Sequence, residues 1–151
     1  MSTITTARSA LGSGIDPRGP RFAATLTSVA LAVVLVAPPP VAVVVLALQT
    51  LVFAVGAFRG TQHTPYAWLF RTLVRPRLAA PRELEDPRPP RFAQAVGLGF
   101  ALVGLAGFAA GLTGLALVAT GFALAAALLN AVFGFCLGCE IYLLLQRATA
   151  R

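Results

Sequence analysis

The feature that most constrains the fold is an eight-residue motif that occurs twice. Residues 16–23 and 86–93 begin seventy residues apart and agree at seven of eight positions. Each copy precedes an apolar run, a break of proline or small residues, and a second apolar run. Such an internal duplication predicts two copies of one structural unit. The prolines and arginines of the motif suit the start of a helix at a membrane surface, because proline needs no amide donor there and arginine reaches the headgroups.

The apolar runs predict a membrane protein. Hydrophobic residues make up 58% of the chain and charged residues only 11%, against about 25% charged residues in soluble domains. The predicted spans are residues 22–37, 41–58, 92–110 and 112–131, close to the ~20 residues that cross a bilayer. We therefore expect an all-α integral membrane protein with four transmembrane helices, arranged as a tandem duplication of a two-helix unit.

The segments outside the spans complete the predicted organisation. We expect a disordered tail at 1–14, a first repeat at 15–80, a proline- and arginine-rich cytoplasmic link at 81–91 and a second repeat at 85–147. Thr64 and Pro65 predict the start of a short interfacial helix over 65–78. The duplication places a matching short helix at about 135–147, after a break near residues 130–134. The alternative is a fifth span from about Phe133.

Glycine is frequent in the third predicted span and the turn that follows it. We expect these glycines to form a helix-packing face, because small residues let helix backbones approach closely in lipid; they are Gly97, Gly104, Gly107, Gly111 and Gly114. No strand precedes them, so they do not form a nucleotide-binding loop. The sequence predicts no bound cofactor.

The arginines predict the orientation. All twelve basic residues are arginines, and they flank the apolar runs while the breaks at 38–40 and 111–114 contain none. With four crossings, every arginine falls on one side, and the positive-inside rule makes that side the cytoplasm. Both termini are then cytoplasmic. The net charge of +7 lacks the basic helix or aromatic–basic repeat of a nucleic-acid-binding protein, so we expect no nucleic-acid partner.

The candidate chemistry lies near the C-terminus. Cys136 and Cys139 are the only cysteines and form a C-x-x-C pair, with Glu140 directly after them. Residues three apart share a helix face, and a thiol at a helix N-terminus is activated by the backbone amides there. We predict that Cys136 is the nucleophile of a reactive dithiol, that Cys139 is its resolving partner, and that Glu140 exchanges protons with a thiol.

Other interpretations of the same residues remain open. Both cysteines are equally compatible with packing as small buried hydrophobes. A metal site would combine Cys136 and Cys139 with His63 and Glu140, although zinc requires four ligands and the spacing does not specify them. Glu140 is costly as a charge in hydrocarbon; its alternative role is an ion pair with Arg71, Arg75 or Arg147.

Several stretches together resemble a known bacterial family. They are the paired Asp-Pro-Arg-x-Pro-Arg-Phe-Ala motifs, Pro65-Tyr66 with residues 73–78, and residues 130–142 with the block Phe-Cys-Leu-Gly-Cys-Glu. They resemble the membrane-protein family called domain of unknown function 4395, over about residues 15–147. The resemblance implies a multi-span protein of the bacterial plasma membrane with no assigned activity. Members of this family are sometimes encoded near thioredoxin-like and sulfurtransferase proteins, and the resemblance therefore favours thiol or sulfur chemistry without identifying a substrate.

The leading hypothesis is that the dithiol exchanges electrons or sulfur with a cytoplasmic thioredoxin-like or sulfurtransferase protein, and that the arginine-rich central connection docks this partner or anionic lipid. The alternatives are a small carrier for a sulfur species or metal ion, and a non-catalytic membrane scaffold subunit. Whether the chain is an enzyme in the strict sense is left open by the sequence.

Overall fold

The computed structural model describes residues 14–151, and within them every regular element is a helix. The predicted tail at 1–14 lies outside these residues except for Gly14. The six α-helices are α1 (Arg18–Val36), α2 (Pro39–Phe58), α3 (Pro65–Leu69), α4 (Arg88–Ala109), α5 (Thr113–Phe133) and α6 (Leu137–Thr149).

The predicted fold class is confirmed. Helices α1, α2, α4 and α5 are long and apolar enough to cross a membrane. Helix α6 has 13 residues and is therefore about 20 Å long, short of the ~30 Å hydrocarbon core. The described residues thus contain four candidate spans, and the five-span alternative finds no support among them.

The duplicated motif belongs to the helices rather than preceding them. The predicted spans began at residues 22 and 92, whereas α1 begins at Arg18 and α4 at Arg88. Pro20 and the Pro89–Pro90 pair fall in the first turn, where the amides have no intrahelical acceptor and proline removes no hydrogen bond. The motif is therefore the first turn of each helix.

The four long helices form a bundle in which the two copies interlock. Helix α1 packs on α2 and α5, and α4 packs on α2, α5 and α6. Each first helix therefore packs against the second helix of both copies. The core consists mainly of small and aliphatic side chains: Leu31, Val34, Ala42, Leu46, Phe53, Ala101 and Ala123.

The predicted interfacial helix exists but is irregular. Thr64 caps it as expected, its Oγ1 accepting from the amide of Ala67 at 3.2 Å. After α3 the chain continues as a π-helical turn at Phe70–Val74 and a 3-10 turn at Arg75–Arg77. Pro76 has no amide hydrogen to continue an α-helical ladder, which explains the change of helix type before residue 78.

Three of the five predicted packing glycines make the expected contacts. A Cβ atom on Gly97 would lie 2.7 Å from the Phe53 ring, and one on Gly104 would lie 2.9 Å from Leu46. Gly107 packs on the Ala116 backbone. The prediction was wrong for the last two: Gly114 has nothing within 4 Å, and Gly111, with φ at +74°, serves the turn between α4 and α5.

Candidate functional site

The predicted break before the cysteines is a glycine-terminated helix end. Helix α5 stops at Phe133, and Gly134 adopts a left-handed conformation with φ at +67°. Its amide donates to the Asn130 carbonyl at 3.0 Å, and the Phe135 amide donates to that of Leu129 at 3.3 Å. A left-handed glycine with paired return bonds is a common helix C-cap. It turns the chain so that α6 starts at Leu137.

An arginine from the other copy caps the same helix end. Arg21 donates from Nε to the Ala131 carbonyl at 3.1 Å and from Nη2 to the Val132 carbonyl at 2.9 Å. Its counterpart in the second motif, Arg91, makes the same pair of bonds to the Ala57 and Phe58 carbonyls of α2. A cation at a helix C-terminus satisfies unpaired carbonyls and complements the helix dipole. Only Arg21 caps the helix end that leads into the cysteines.

The two cysteines meet at the start of α6. Cys136 is the N-cap residue, and its Sγ accepts from the Cys139 amide at 3.4 Å. The two sulfur atoms are joined in a disulfide, with the Cα atoms 5.2 Å apart. Both residues are half-buried. The site therefore has the geometry that lowers the energy of a thiolate, since helix N-terminal amides point at the Cys136 sulfur.

Cys136 takes the structural place that Thr64 has in the first copy. Thr64 caps α3 through a side-chain oxygen that accepts from the amide three residues later, Ala67. Cys136 caps α6 through sulfur and the amide of Cys139. Two aromatic pairs align the copies independently: Phe22 with Phe70, and Phe92 with Tyr142, at ring-centroid distances of 5.8 and 5.6 Å. Each copy therefore has a side-chain cap at the start of its short helix, but only the second copy has a cysteine pair there.

Glu140 lies in the first turn of α6 and is exposed. Its backbone amide donates to the Cys136 carbonyl at 3.0 Å. Across residues 14–151 the ion pairs are Arg18–Asp16 and Arg88–Asp86, so the alternative ion pairs of Glu140 with Arg71, Arg75 or Arg147 do not form among them. A carboxylate in the first turn is stabilised by the helix dipole.

The proposed metal ligands do not come together. Within the described part of the chain, no group of three or more His, Cys, Asp or Glu side chains is placed to hold a metal ion. His63 lies in the 3-10 turn Thr61–His63, before α3. The two cysteine sulfurs are bonded to each other rather than available as thiolate ligands.

A large cavity adjoins the disulfide, and sequence reasoning did not find it. Its volume is about 1020 Å³, at the upper end of the ~300–1,000 Å³ typical of small-molecule sites. Cys136, Cys139 and Glu140 lie in its wall, together with side chains of α1, α4 and α5. It extends from the α6 start between the long helices to Phe100 and Phe122.

The cavity follows from small side chains in α5. The carbonyl pairs that bind Arg91 and Arg21 align α2 with α5, so that Phe53 corresponds to Ala127. Phe53 fills its place against Gly97, whereas Ala127 lies in the cavity wall. The seventy-residue offset of the motif aligns Phe53 with Ala123 instead, so the correspondence with Ala127 becomes visible only in the structure.

The cavity wall also contains a pair of oppositely charged side chains. Arg18 donates to both carboxylate oxygens of Asp16, at 3.0 and 2.8 Å, and both residues lie in the cavity wall. This hydrogen bonding to the Arg18 guanidinium lowers the pKa of Asp16 below its usual value, more than burial raises it. The equivalent bonds from Arg88 lower the pKa of Asp86. Both carboxyls therefore stay ionised well into the acidic range.

Of the comparisons with known proteins, only the one with protein-family models finds a match. The model of a family described as a domain of unknown function (DUF4395) matches residues 15–147. That range includes both motifs, all four long helices and the C-x-x-C pair. No curated protein and no solved structure matches the chain.

Proposed function

The chain belongs to the DUF4395 family, a domain of unknown function, and we propose that it is a membrane thiol–disulfide exchange protein. Its Cys136–Cys139 pair exchanges electrons with the C-x-x-C dithiol of a thioredoxin-like protein in the bacterial cytoplasm. The arginine-rich connection between α2 and α4 lies beside this site and docks the partner's acidic surface.

The observation that carries the proposal is the disulfide at the N-cap of α6. A structural disulfide joins segments that are distant in sequence, and its stabilising effect grows with the loop that it closes. The Cys136–Cys139 bond closes a loop of minimal length, so it has little to contribute to stability. A half-buried pair at a helix N-terminus is instead accessible and electrostatically activated.

The exchange step is balanced within the two proteins. A thiolate of the reduced partner attacks one sulfur of the Cys136–Cys139 disulfide, and a mixed disulfide forms. The partner's second thiolate then breaks that bond, which leaves the partner oxidised and this chain with two thiols. In the reverse direction the Cys136 thiolate attacks the partner's disulfide, because its sulfur accepts a hydrogen bond from the backbone amide of Cys139. The Cys139 thiolate then breaks the mixed disulfide and releases the reduced partner. Glu140, which shares the cavity wall with both cysteines, accepts and returns a thiol proton.

We propose electron exchange rather than sulfur carriage, and a thioredoxin-like partner rather than a sulfurtransferase, because the two sulfur atoms lie within bonding reach of each other. No observation favours the transport hypothesis or the scaffold hypothesis in the same way.

The arginines support a cytoplasmic site. Helices α1 and α4 begin, and α2 and α5 end, on the arginine-rich side of the bundle. By the positive-inside rule this side faces the cytoplasm. Reporter fusions at residue 38 and after residue 151 test this orientation: activity of a periplasm-dependent reporter is expected at the first site, and its absence at the second.

The function is tested by trapping the mixed disulfide. When it is mixed with the oxidised thioredoxin-like protein, a Cys139→Ser chain is expected to accumulate a covalent complex that reductant cleaves, because Cys136 attacks the partner's disulfide and Cys139 is no longer present to resolve the mixed disulfide. The matched Cys136→Ser chain accumulates much less, and both variants insert into the membrane normally. Unchanged exchange in the double Cys→Ser chain would show that the pair has no part in the reaction.

A further inference from the structure

The cavity beside the disulfide has a size, a position and a wall chemistry that the thiol exchange alone does not require. We propose that it binds a membrane quinone, which reoxidises the Cys136/Cys139 dithiol. This inference rests on the proposed function, and it names the second redox partner of the same site.

The cavity connects the disulfide with the lipid-facing side of the bundle. One end is formed by Cys136 and Cys139, and the wall runs along α4 and α5 as far as Phe100 and Phe122. These two rings stack at a centroid distance of 6.1 Å, and Phe122 is 62% exposed on the bundle surface. An apolar ring with an isoprenoid tail can therefore reach the disulfide from the bilayer without crossing water.

Two amide side chains in the wall match the polar atoms of a quinone. Gln94 in α4 and Asn130 in α5 both line the cavity. The Oε1 atom of Gln94 is buried, has no hydrogen-bond partner in the described structure and faces Gly56 of α2, so this amide reaches a ligand only after its side chain turns toward the cavity. An amide oxygen accepts from the hydroxyl of a hydroquinone, and an amide N–H donates to a quinone carbonyl.

The electron balance of the reaction fits this ligand. When Cys136 and Cys139 form their disulfide, two S–H bonds break, one S–S bond forms, and two electrons and two protons leave. A quinone takes up two electrons and two protons to become a hydroquinone. The net reaction is dithiol plus quinone to disulfide plus hydroquinone, and no further oxidant is needed. Together with the exchange step, electrons pass from a cytoplasmic dithiol to the membrane quinone.

The asymmetry of the duplication also points to a ligand. In the first copy, Phe53 fills the position that Ala127 leaves open in the second. Gln49, which corresponds to Ala123, is buried and accepts from the Tyr66 hydroxyl at 2.7 Å. Both copies contribute to the cavity wall, and Phe53 itself is part of it, but the cysteines and the small side chain of Ala127 come from the second copy. Packing in native bundles leaves few large voids, so an occupant explains a cavity of this size.

The test uses the full chain in lipid nanodiscs with both cysteines reduced. The probe is a benzoquinone with all four ring positions substituted, one of them by a decyl tail, because such a ring cannot form thiol adducts. We expect loss of both thiols with stoichiometric appearance of hydroquinone, and saturation of the rate with quinone concentration. A chain that is not oxidised by the probe, or a rate that never saturates, would overturn the proposal.

Variants that fill the cavity test whether the quinone reacts there. Ala127→Phe introduces the residue of the first copy and is expected to lower the rate with quinone about tenfold or more, as for a blocked apolar pocket. The matched control is Ala125→Phe, since Ala125 is exposed on the same helix and lies outside the cavity wall; its rate should equal that of the wild type. Ala126→Leu repeats the test with a smaller side chain if Ala127→Phe does not fold. Equal rates in both filled variants and the wild type would exclude this cavity as the site.

The same variants separate the two proposals. Exchange with the thioredoxin-like partner takes place at the half-buried cysteines and not at Ala127, so Ala127→Phe should leave it unchanged. If the wild-type chain exchanges thiols normally but does not reduce the quinone, the quinone site is excluded and the proposed thiol-exchange function is retained. Loss of both reactions in the wild type would sink the proposed function itself.

Discussion

Ile15 and Glu85 hold the same position before their respective motifs, and they pair with each other. The Ile15 amide donates to the Glu85 carbonyl at 2.9 Å, and the Glu85 amide donates to the Ile15 carbonyl at 2.9 Å. An antiparallel pair that exchanges both bonds has a local two-fold axis. The paired residues are equivalent in the duplication. Because each copy contains two long helices, both copies start on the same side of the bundle and run in the same direction, unlike the inverted repeats of many transporters.

The close contact of α4 with α5 predicts unequal effects of two glycine substitutions. Gly107→Ala would place a Cβ atom 2.9 Å from the Ala116 backbone nitrogen, which cannot move aside as a side chain would. We expect the free energy of unfolding to fall by about 1–3 kcal/mol. Gly99→Ala is the matched control, because nothing lies within 4 Å of its Cβ position in the same helix. Reversible unfolding in mixed detergent measures both, and an equal loss in the two variants would contradict the packing described.

The two capping arginines predict a separation of stability from reactivity. Arg21→Gln and Arg91→Gln each remove two bonds to helix carbonyls, and each should cost about 1 kcal/mol of unfolding free energy. Only Arg21 holds the helix end that precedes Cys136. Arg21→Gln should therefore lower the reactivity of the reduced Cys136 thiol, because the helix N-terminus that donates to its sulfur is held less firmly.

The measurement for the arginine pair is the rate of thiol alkylation in the reduced protein at one fixed pH. The rate should fall in Arg21→Gln and stay unchanged in Arg91→Gln. A similar fall in both variants would mean that Arg21 acts through general stability rather than through the position of the cysteines.

The lowered pKa of Asp16 predicts acid sensitivity. The folded-state value lies below the ordinary 3.8, so this carboxylate contributes stability above pH 3.8, and the contribution is lost as the pH falls through the folded-state pKa. Asp16→Asn should remove that part of the pH dependence of the unfolding temperature. Asp86→Asn should have a smaller effect, because the Asp86 side chain is 44% exposed and that of Asp16 only 7%. A curve for Asp16→Asn that matches the wild type below pH 4 would contradict the prediction.

The sequence predicted the framework because it depends on local and repeated signals. Apolar length and low charge define the four long helices, and the Thr64–Pro65 pair defines a cap that the structure confirms. The motif was predicted to start a helix because its prolines need no amide donor there, and α1 and α4 do begin within it.

The cavity was missed because no single residue marks it. It results from the absence of large side chains at Ala123 and Ala127, which becomes visible only when α5 is compared with α2 at the register that Arg21 and Arg91 define. The irregular turns after α3 were missed for a related reason. One proline, Pro76, changes the hydrogen bonding of several preceding residues.

The most direct test of the account is the redox state of Cys136 and Cys139 in intact cells. Thiols are trapped with a membrane-permeant alkylating reagent of high mass, and the two oxidation states are separated as a gel shift, with the double Cys→Ser chain as the reference. The account predicts a mixed population that becomes fully reduced when respiration is blocked and quinones become hydroquinones. Two thiols that stay reduced and unchanged by oxidant or by respiratory state would contradict it.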